Sequence, residues 1–248
     1  MFKIAMAILS LSVCLVAGEI RLAVAANMSD AIEVLKKEFT KSNPDTKISV
    51  ILGSSGKLTA QIKTGAPYDV FLSADMMLPQ KLYEENIAIT APVVYAKGVL
   101  ALLSTKTFDF SKGIAVVQDA SILKIALANP KTAPYGAATI EALKNANLYD
   151  SVSSKLVYAE SISQAVQYAT TAADIGFVAK SSLYSNKMTQ YKKGVHWEDV
   201  DTKLYTPISQ GVVMLKNGEK NAEAKAFYEF ILSQNAKKIF NDFGYITQ

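Results

Sequence analysis

The chain has 248 residues, half of them hydrophobic, and a formal net charge of +4. Its lysines are scattered among acidic residues instead of forming a basic stripe, so we do not expect nucleic acid as a partner. The chain has one histidine, His196, and one cysteine, Cys14. A site for a bare transition-metal cation would have to rely on carboxylates, and we predict neither such a site nor a cofactor.

Residues 1–18 have the composition of a secretory signal peptide. Lys3 is followed by an apolar run over residues 4–17. This run is too short, and polar sequence follows it too soon, for a membrane-spanning helix. We therefore expect that the mature protein is exported. A lipid anchor on Cys14 is not expected, because the bulky Val13 stands where a small residue is required.

Strands and helices alternate through the first part of the mature chain. Strand-like runs at 20–25, 47–52 and 69–72 are each followed by a segment that favours a helix. In the second of these segments, Leu58 and Ile62 fall on one helical face. Alternation of this kind predicts a parallel α/β sheet.

A long β-rich run at 93–103 contains Gly98 near its middle, and we predict that the chain crosses there into a second lobe. The strand-helix alternation then restarts, and a second β-rich run at 204–215 returns the chain to the first lobe. We therefore predict a two-lobed α/β fold with a ligand cleft, each lobe being a mostly parallel sheet flanked by helices. The predicted boundaries are 1–18 for the signal peptide, 19–97 and 207–248 for the first lobe, and 98–206 for the second.

The turn at 53–56 has the residues of an anion site. Its two glycines let the backbone approach a guest, Ser54 and Ser55 carry hydroxyl donors, and the helix start behind them supplies unpaired N–H groups. No nucleophile with a nearby base is visible, so we predict that the chain is not an enzyme. Two alternatives remain: a hydrolase or transferase that uses this serine turn, and an interaction module without a small ligand.

Five motifs follow one another along the chain: Ala25-Ala26-Asn27-Met28, Gly53 to Leu58, Gly65 to Asp75, Asn129 to Gly136, and Asp174 to Val178. Together they resemble the periplasmic molybdate-binding proteins of ABC importers, over essentially the whole mature chain. The resemblance implies a type II periplasmic binding fold, a monomer that closes on molybdate or tungstate and delivers it to a membrane permease. Molybdenum or tungsten would be bound as the oxyanion. Sulfate or another tetrahedral oxyanion, such as thiosulfate or phosphate, is the alternative ligand.

The resemblance also implies which residues bind the anion. Ser55 matches a family serine that donates from both its hydroxyl and its backbone N–H group. Tyr135 and Ile162 match positions where the backbone N–H group binds, so their side chains are free to vary. Ser54 and Ser161 stand next to these positions and are further candidates.

Two positions depart from the family pattern. Asn27 stands where the family has a serine, and its side-chain amide either donates to the anion or only caps the following helix. Ala179 stands where the family often has a tyrosine. We therefore expect the site to lack one side-chain donor or to recruit another, such as Ser181 or a water molecule. The preference between molybdate and tungstate stays open.

Overall fold

The computed structural model describes residues 18–247. The predicted signal peptide, apart from Gly18, and the question of a lipid on Cys14 lie outside these residues. Within the described part of the chain, no helix is long and apolar enough to cross a membrane.

Ten strands form two separate sheets of five strands each. In chain order the strands are β1 (Glu19–Ala25), β2 (Lys47–Gly53), β3 (Val70–Leu72), β4 (Val93–Gly98), β5 (Leu100–Leu103), β6 (Ile125–Ala128), β7 (Leu156–Ala159), β8 (Ile175–Ala179), β9 (Trp197–Asp199) and β10 (Ile208–Met214). The helices are α1 (Ala31–Ser42), α2 (Ser55–Lys63), α3 (Met77–Glu84), α4 (Pro134–Asn145), α5 (Tyr149–Val152), α6 (Ile162–Thr171), α7 (Ala222–Ile231) and α8 (Gln234–Asp242).

The first sheet has the strand order β2-β1-β3-β10-β4. β1 pairs in parallel with β2 and β3, whereas β10 runs antiparallel to β3 and β4. The pairing between β10 and β4 shifts register between Gln210 and Gly211, as at a β-bulge. α7 packs beside α1 on this sheet, and the rings of Phe39 and Phe227 meet edge to face at 5.2 Å.

The second sheet has the order β7-β6-β8-β5-β9, with β6 parallel to β7 and β8 and with β5 antiparallel to β8 and β9. Only Val99 separates β4 in the first sheet from β5 in the second. The β-rich run at 93–103 is therefore two strands that belong to different sheets. The sequence did not predict β9, whose three residues are too few to show an alternating pattern.

Two five-stranded sheets flanked by helices confirm the predicted two-lobed α/β fold. Parallel strands end at the same edge of a sheet, and the helices that follow them begin there. β1 and β2 bring the turns before α1 and α2 to this edge of the first sheet, and β6 and β7 do the same for α4 and α6 in the second. These turns face each other across the cleft.

Candidate functional site

A small cavity lies between the two lobes, where these turns meet. The first lobe lines it with Asn27, Ser54 and Ser55, and the second lobe lines it with Tyr135 and Ile162, all of which are buried. Its volume is about 10 Å³, which is close to what one water molecule needs. A cavity of this size has no room for an organic molecule. A larger depression of about 370 Å³ beside Asp174 contains none of these residues.

Three helices begin at the cavity and direct their positive ends towards it. Ser55, Tyr135 and Ile162 lie in the first turns of α2, α4 and α6, where backbone N–H groups have no carbonyl partner within their own helix. Pro134 has no N–H group, so Tyr135 supplies the first amide of α4. Converging helix dipoles and free amides favour a bound anion.

The hydroxyl of Ser55 is held in a fixed orientation by the main chain of the same lobe. Its Oγ accepts a hydrogen bond from the backbone N–H group of Ala74 at 2.9 Å. Because the oxygen serves as the acceptor in this bond, the hydroxyl hydrogen remains available. Ser55 therefore offers the cavity a backbone donor and a side-chain donor.

The hydroxyl of Ser54 is buried and has no hydrogen-bond partner among residues 18–247. Ser54 stands at the N-cap of α2 in an extended conformation, yet its side chain makes no capping bond. A buried hydroxyl without a partner costs about 1–3 kcal/mol. The position is therefore better explained by a ligand that would accept from this hydroxyl than by a role in starting the helix.

The side chain of Asn27 is held in a buried network. Its Nδ2 donates at 2.9 Å to Oε1 of Gln210 and at 2.9 Å to the hydroxyl of Tyr245. Both amide hydrogens are thus used away from the cavity in this arrangement, and Oδ1 is buried without a partner among the described residues. Asn27 lies in a short 3-10 helix, Ala26–Met28, and makes no capping bond from its side chain.

Gln210 continues this network towards the second lobe. Its Nε2 donates to the hydroxyl of Tyr135 at 3.1 Å, and its Oε1 also accepts from the hydroxyl of Tyr95 at 2.8 Å. Burial raises the pKa of Tyr95, Tyr135 and Tyr245 above that of a free phenol, so all three hydroxyls stay protonated. Nothing in the sequence indicated this network, because its members come from distant parts of the chain.

Three candidates from the sequence lie apart from the cavity lining. Ala179 is fully buried at the end of β8, where it pairs with Leu100. Ser181 donates from Oγ to the carbonyl oxygen of Asn27 at 2.9 Å, and so it joins the two lobes. Ser161 caps α6, with its Oγ accepting from the backbone N–H group of Gln164 at 3.3 Å.

None of the residues that line the cavity carries a charged side chain. In residues 18–247 no group of three or more His, Cys, Asp or Glu side chains could hold a metal cation. The site can therefore neutralise an anion only with amide and hydroxyl dipoles, which are stronger in a buried site of low dielectric constant than in water.

Direct contacts hold the two lobes together around the cavity. The backbone N–H group of Gly56 donates to the carbonyl oxygen of Thr132 at 2.9 Å. Ser163 Oγ donates to the carbonyl oxygen of Ala26 at 2.6 Å. At the exposed rim, Lys57 forms an ion pair with Glu160. The structure thus shows the cleft closed.

Residues 20–246 match the family model for bacterial extracellular solute-binding proteins. The chain is 37% identical to the molybdate-binding protein ModA of Rhodobacter capsulatus, over 97% of this chain and 93% of the relative. It is 36% identical to ModA of Azotobacter vinelandii, over 94% of this chain and 91% of the relative.

Two solved structures have the same fold. The periplasmic molybdate-binding protein of Azotobacter vinelandii superposes with a TM-score of 0.85 at 31% identity, covering 92% of this chain and 99% of that one. The sulfate-binding protein SubI of Mycobacterium tuberculosis, at 12% identity and a TM-score of 0.71 over 92% of this chain and 86% of that one, shares the fold alone. The chain therefore belongs to the bacterial extracellular solute-binding protein family, as a relative of its periplasmic molybdate-binding members.

Proposed function

We propose that this protein captures molybdate in the periplasm, accepts tungstate as well, and delivers the anion to the permease of an ABC importer. The observation that carries the proposal is a small closed cavity, lined by hydrogen-bond donors from both lobes and free of charged side chains. The relatives named as molybdate-binding proteins, at 37% and 36% identity over nearly the whole chain, support the same ligand.

The anion-binding groups are assigned in this proposal as follows. Ser55 donates from its hydroxyl and its amide, Ser54 donates from its hydroxyl, and Tyr135 and Ile162 donate from their amides. Asn27 lines the same cavity and contributes through the network described above. Ser161, Ser181 and Ala179 support the surrounding structure instead of contacting the anion.

The proposal includes a division into lobes at 19–97 with 207–248 and at 98–206. The membership of the strands supports it, because β4 and β10 belong to the first sheet and β5 and β9 to the second. It also includes a monomer that does not bind nucleic acid, since the lysines are scattered along the chain and form no basic stripe.

Catalysis is not part of the proposed function. Ser54 and Ser55 lie in the first lobe, whereas His196 lies beside β9 in the second, and its Nδ1 accepts from the backbone N–H group of Lys192 at 3.1 Å. A serine nucleophile needs a base within hydrogen-bond reach. An assay of phosphate and acyl esters should therefore show no turnover.

Isothermal titration calorimetry with molybdate, tungstate and sulfate tests the ligand. We expect tight binding of molybdate and tungstate with little difference between them, because the two anions have nearly the same size and charge. Sulfate has shorter bonds, so its oxygens would meet the donors at poor distances, and each bond made poorly costs about 1–3 kcal/mol. The proposal is wrong if micromolar molybdate and tungstate give no heat, or if sulfate binds more tightly than either.

A further inference from the structure

The network behind the cavity joins the two lobes through one buried amide, that of Gln210. Gln210 is fully buried on β10 of the first lobe. Its Oε1 contacts Asn27 in the same lobe, and its Nε2 contacts Tyr135 at the start of α4 in the second. A side chain on Gly98 would collide with both Gln210 and the Tyr135 hydroxyl, so the glycine at the crossing makes room for this contact.

When Gln210 points Nε2 towards Tyr135, some acceptors of this network compete for one hydrogen and another acceptor receives none. The hydroxyl of Tyr95 then has one hydrogen but faces three acceptors: Oε1 of Gln210, the carbonyl oxygen of Ser73 at 3.2 Å, and Sδ of Met28. The hydroxyl of Tyr135 serves as an acceptor, and Oδ1 of Asn27 has no partner among the described residues.

The same heavy-atom positions support the opposite arrangement of both amides, because the nitrogen and oxygen of an amide have nearly the same size and geometry. With both amides reversed, Tyr135 donates to Oε1 of Gln210. Nε2 of Gln210 donates to Tyr95 and to Oδ1 of Asn27, and Tyr95 gives its own hydrogen to the carbonyl oxygen of Ser73. Tyr245 turns its single hydrogen from the carbonyl oxygen of Asn27 to Oδ1, and that carbonyl oxygen keeps Ser181 as its donor. The buried atom left without a partner is then Nδ2 of Asn27, a donor, instead of Oδ1, an acceptor.

We propose that Gln210 is a positioning residue for the anion site, and that binding of a fully deprotonated oxyanion selects the arrangement in which the amides of Gln210 and Asn27 are both reversed. Asn27 lines the cavity, and only one of its two side-chain polar atoms is left free by the network. An anion oxygen accepts from an N–H group and is repelled by a carbonyl oxygen. This inference rests on the proposed function and deepens it.

The two arrangements suit different ligands. A carbonyl oxygen of Asn27 at the cavity would accept from an oxyanion that carries a hydrogen, such as hydrogenphosphate. An amide group at the same place instead favours molybdate, tungstate or sulfate, which carry no hydrogen at neutral pH. Gln210 thereby takes part in selecting the ligand without touching it. We expect phosphate not to compete with molybdate.

Nuclear Overhauser effects in the ¹⁵N-labelled, molybdate-loaded protein test the arrangement directly. The side-chain amide resonances of Gln210 are identified by their loss in Gln210→Met. We expect the Gln210 amide hydrogens to show contacts with the ring of Tyr95. Contacts with the ring of Tyr135 alone would overturn the inference, as would competition by phosphate. Absence of molybdate binding to the wild-type protein would overturn the proposed function and this inference together.

Tyr95→Phe provides an independent readout, because Tyr95 does not line the cavity. The substitution removes the acceptor that Nε2 of Gln210 needs in the anion-selected arrangement. In the arrangement that is not reversed, Oε1 of Gln210 still accepts from Nδ2 of Asn27 after the substitution, so Gln210 loses less there. We expect molybdate affinity to fall about tenfold, as for the loss of one buried hydrogen bond.

The matched control is Tyr68→Phe, which removes a hydroxyl that donates to Gln61 at 2.9 Å in the same lobe, away from the cavity. It should leave molybdate affinity unchanged. If Tyr95 contributes to stability alone, Tyr95→Phe will lower the melting temperature and leave molybdate affinity unchanged. That result would contradict the inference.

Discussion

The backbone N–H group of Gly56 in the first lobe donates to the carbonyl oxygen of Thr132 in the second at 2.9 Å. A β-carbon on Gly56 would stand 2.9 Å from that oxygen and 3.1 Å from Cα of Thr132. These distances are shorter than normal van der Waals contact, and both atoms belong to the backbone. The lobes can therefore close fully only if residue 56 has no side chain.

Gly56→Ala should weaken molybdate binding about tenfold or more, since each tenfold step corresponds to about 1.4 kcal/mol. Gly56 lies in the first turn of α2, where alanine favours the helix by up to about 1 kcal/mol. The ligand-free variant should therefore be at least as stable as the wild type. Calorimetry and thermal unfolding measure the two effects, with Ala60→Ser on the exposed side of α2 as the control. Unchanged affinity would show that closure does not need the glycine.

Substitutions of Ser54 and Ser55 should both weaken molybdate binding, but only the substitution of Ser55 should lower the free energy of unfolding. Ser55→Ala leaves the amide of Ala74 without its acceptor, so we expect both weaker molybdate binding and a loss of about 1–3 kcal/mol in the free energy of unfolding. Ser54→Ala removes a hydroxyl that has no partner within residues 18–247. It should weaken binding while leaving the ligand-free protein as stable as before. Denaturant unfolding and calorimetry on both variants check this, and a Ser54→Ala protein that binds normally would remove Ser54 from the site.

The rim ion pair between Lys57 and Glu160 should affect how long the cleft stays closed. Both side chains are more than half exposed, and pairs of this kind contribute about 0.2–1 kcal/mol. Glu160→Gln should therefore speed molybdate release by no more than about fivefold. The difference should vanish at about 1 M salt, where the Debye length is about 3 Å.

Stopped-flow release experiments at low and high salt would measure this effect. Glu33→Gln is the control, because it breaks an ion pair with Lys36 inside α1, away from the cleft. An effect of Glu160→Gln that does not depend on salt would argue against an electrostatic contact across the rim.

Asp174 should make the stability of the second lobe depend on pH in the acid range. A hydrogen bond from Lys106, together with backbone N–H donors at Leu123 and Lys124, lowers the pKa of Asp174 from 3.8 to about 2. A lowered pKa means that the stabilisation is complete above pH about 4 and is lost as the pH falls towards 2.

Asp174→Asn should therefore lower the melting temperature at neutral pH, and the gap from the wild type should narrow as the pH falls from about 4 to about 2. Calorimetric scans across this range measure the gap. Asp45→Asn, at an exposed turn, is the control and should have little effect at any pH. A gap for Asp174→Asn that stays constant with pH would contradict the role of the carboxylate charge.

Local patterns in the sequence were enough to predict the fold. β1, β2, β6, β7 and β8 are short apolar runs, each followed by turn residues or a helix start, and the glycine at 98 stands at the crossing between the sheets. The same patterns marked Ser54 and Ser55 as donors, whereas Tyr135 and Ile162 followed from the resemblance to the family. All four line one cavity.

Other features could not be read from the sequence, because they depend on contacts between distant residues. Asn27 and Gln210 are 183 positions apart, and nothing near either residue shows that the amide of Asn27 is already paired. Ser181 likewise reads as a spare donor in the sequence, whereas its hydroxyl is used by the carbonyl of Asn27. Only the three-dimensional structure shows that the donors of Asn27 and Ser181 are already used in hydrogen bonds with other residues.

The single residue between β4 and β5, Val99, makes that connection a pivot. A connection of one residue lets one lobe rotate against the other but limits sliding between them. The return connection at 200–207 is longer and can follow this rotation. The Tyr135 hydroxyl lies beside Gly98, next to this connection. Lys57 and Glu160 pair at the exposed rim instead. We expect rotation about this connection to break the rim ion pair before it disturbs the contact between Tyr135 and Gln210.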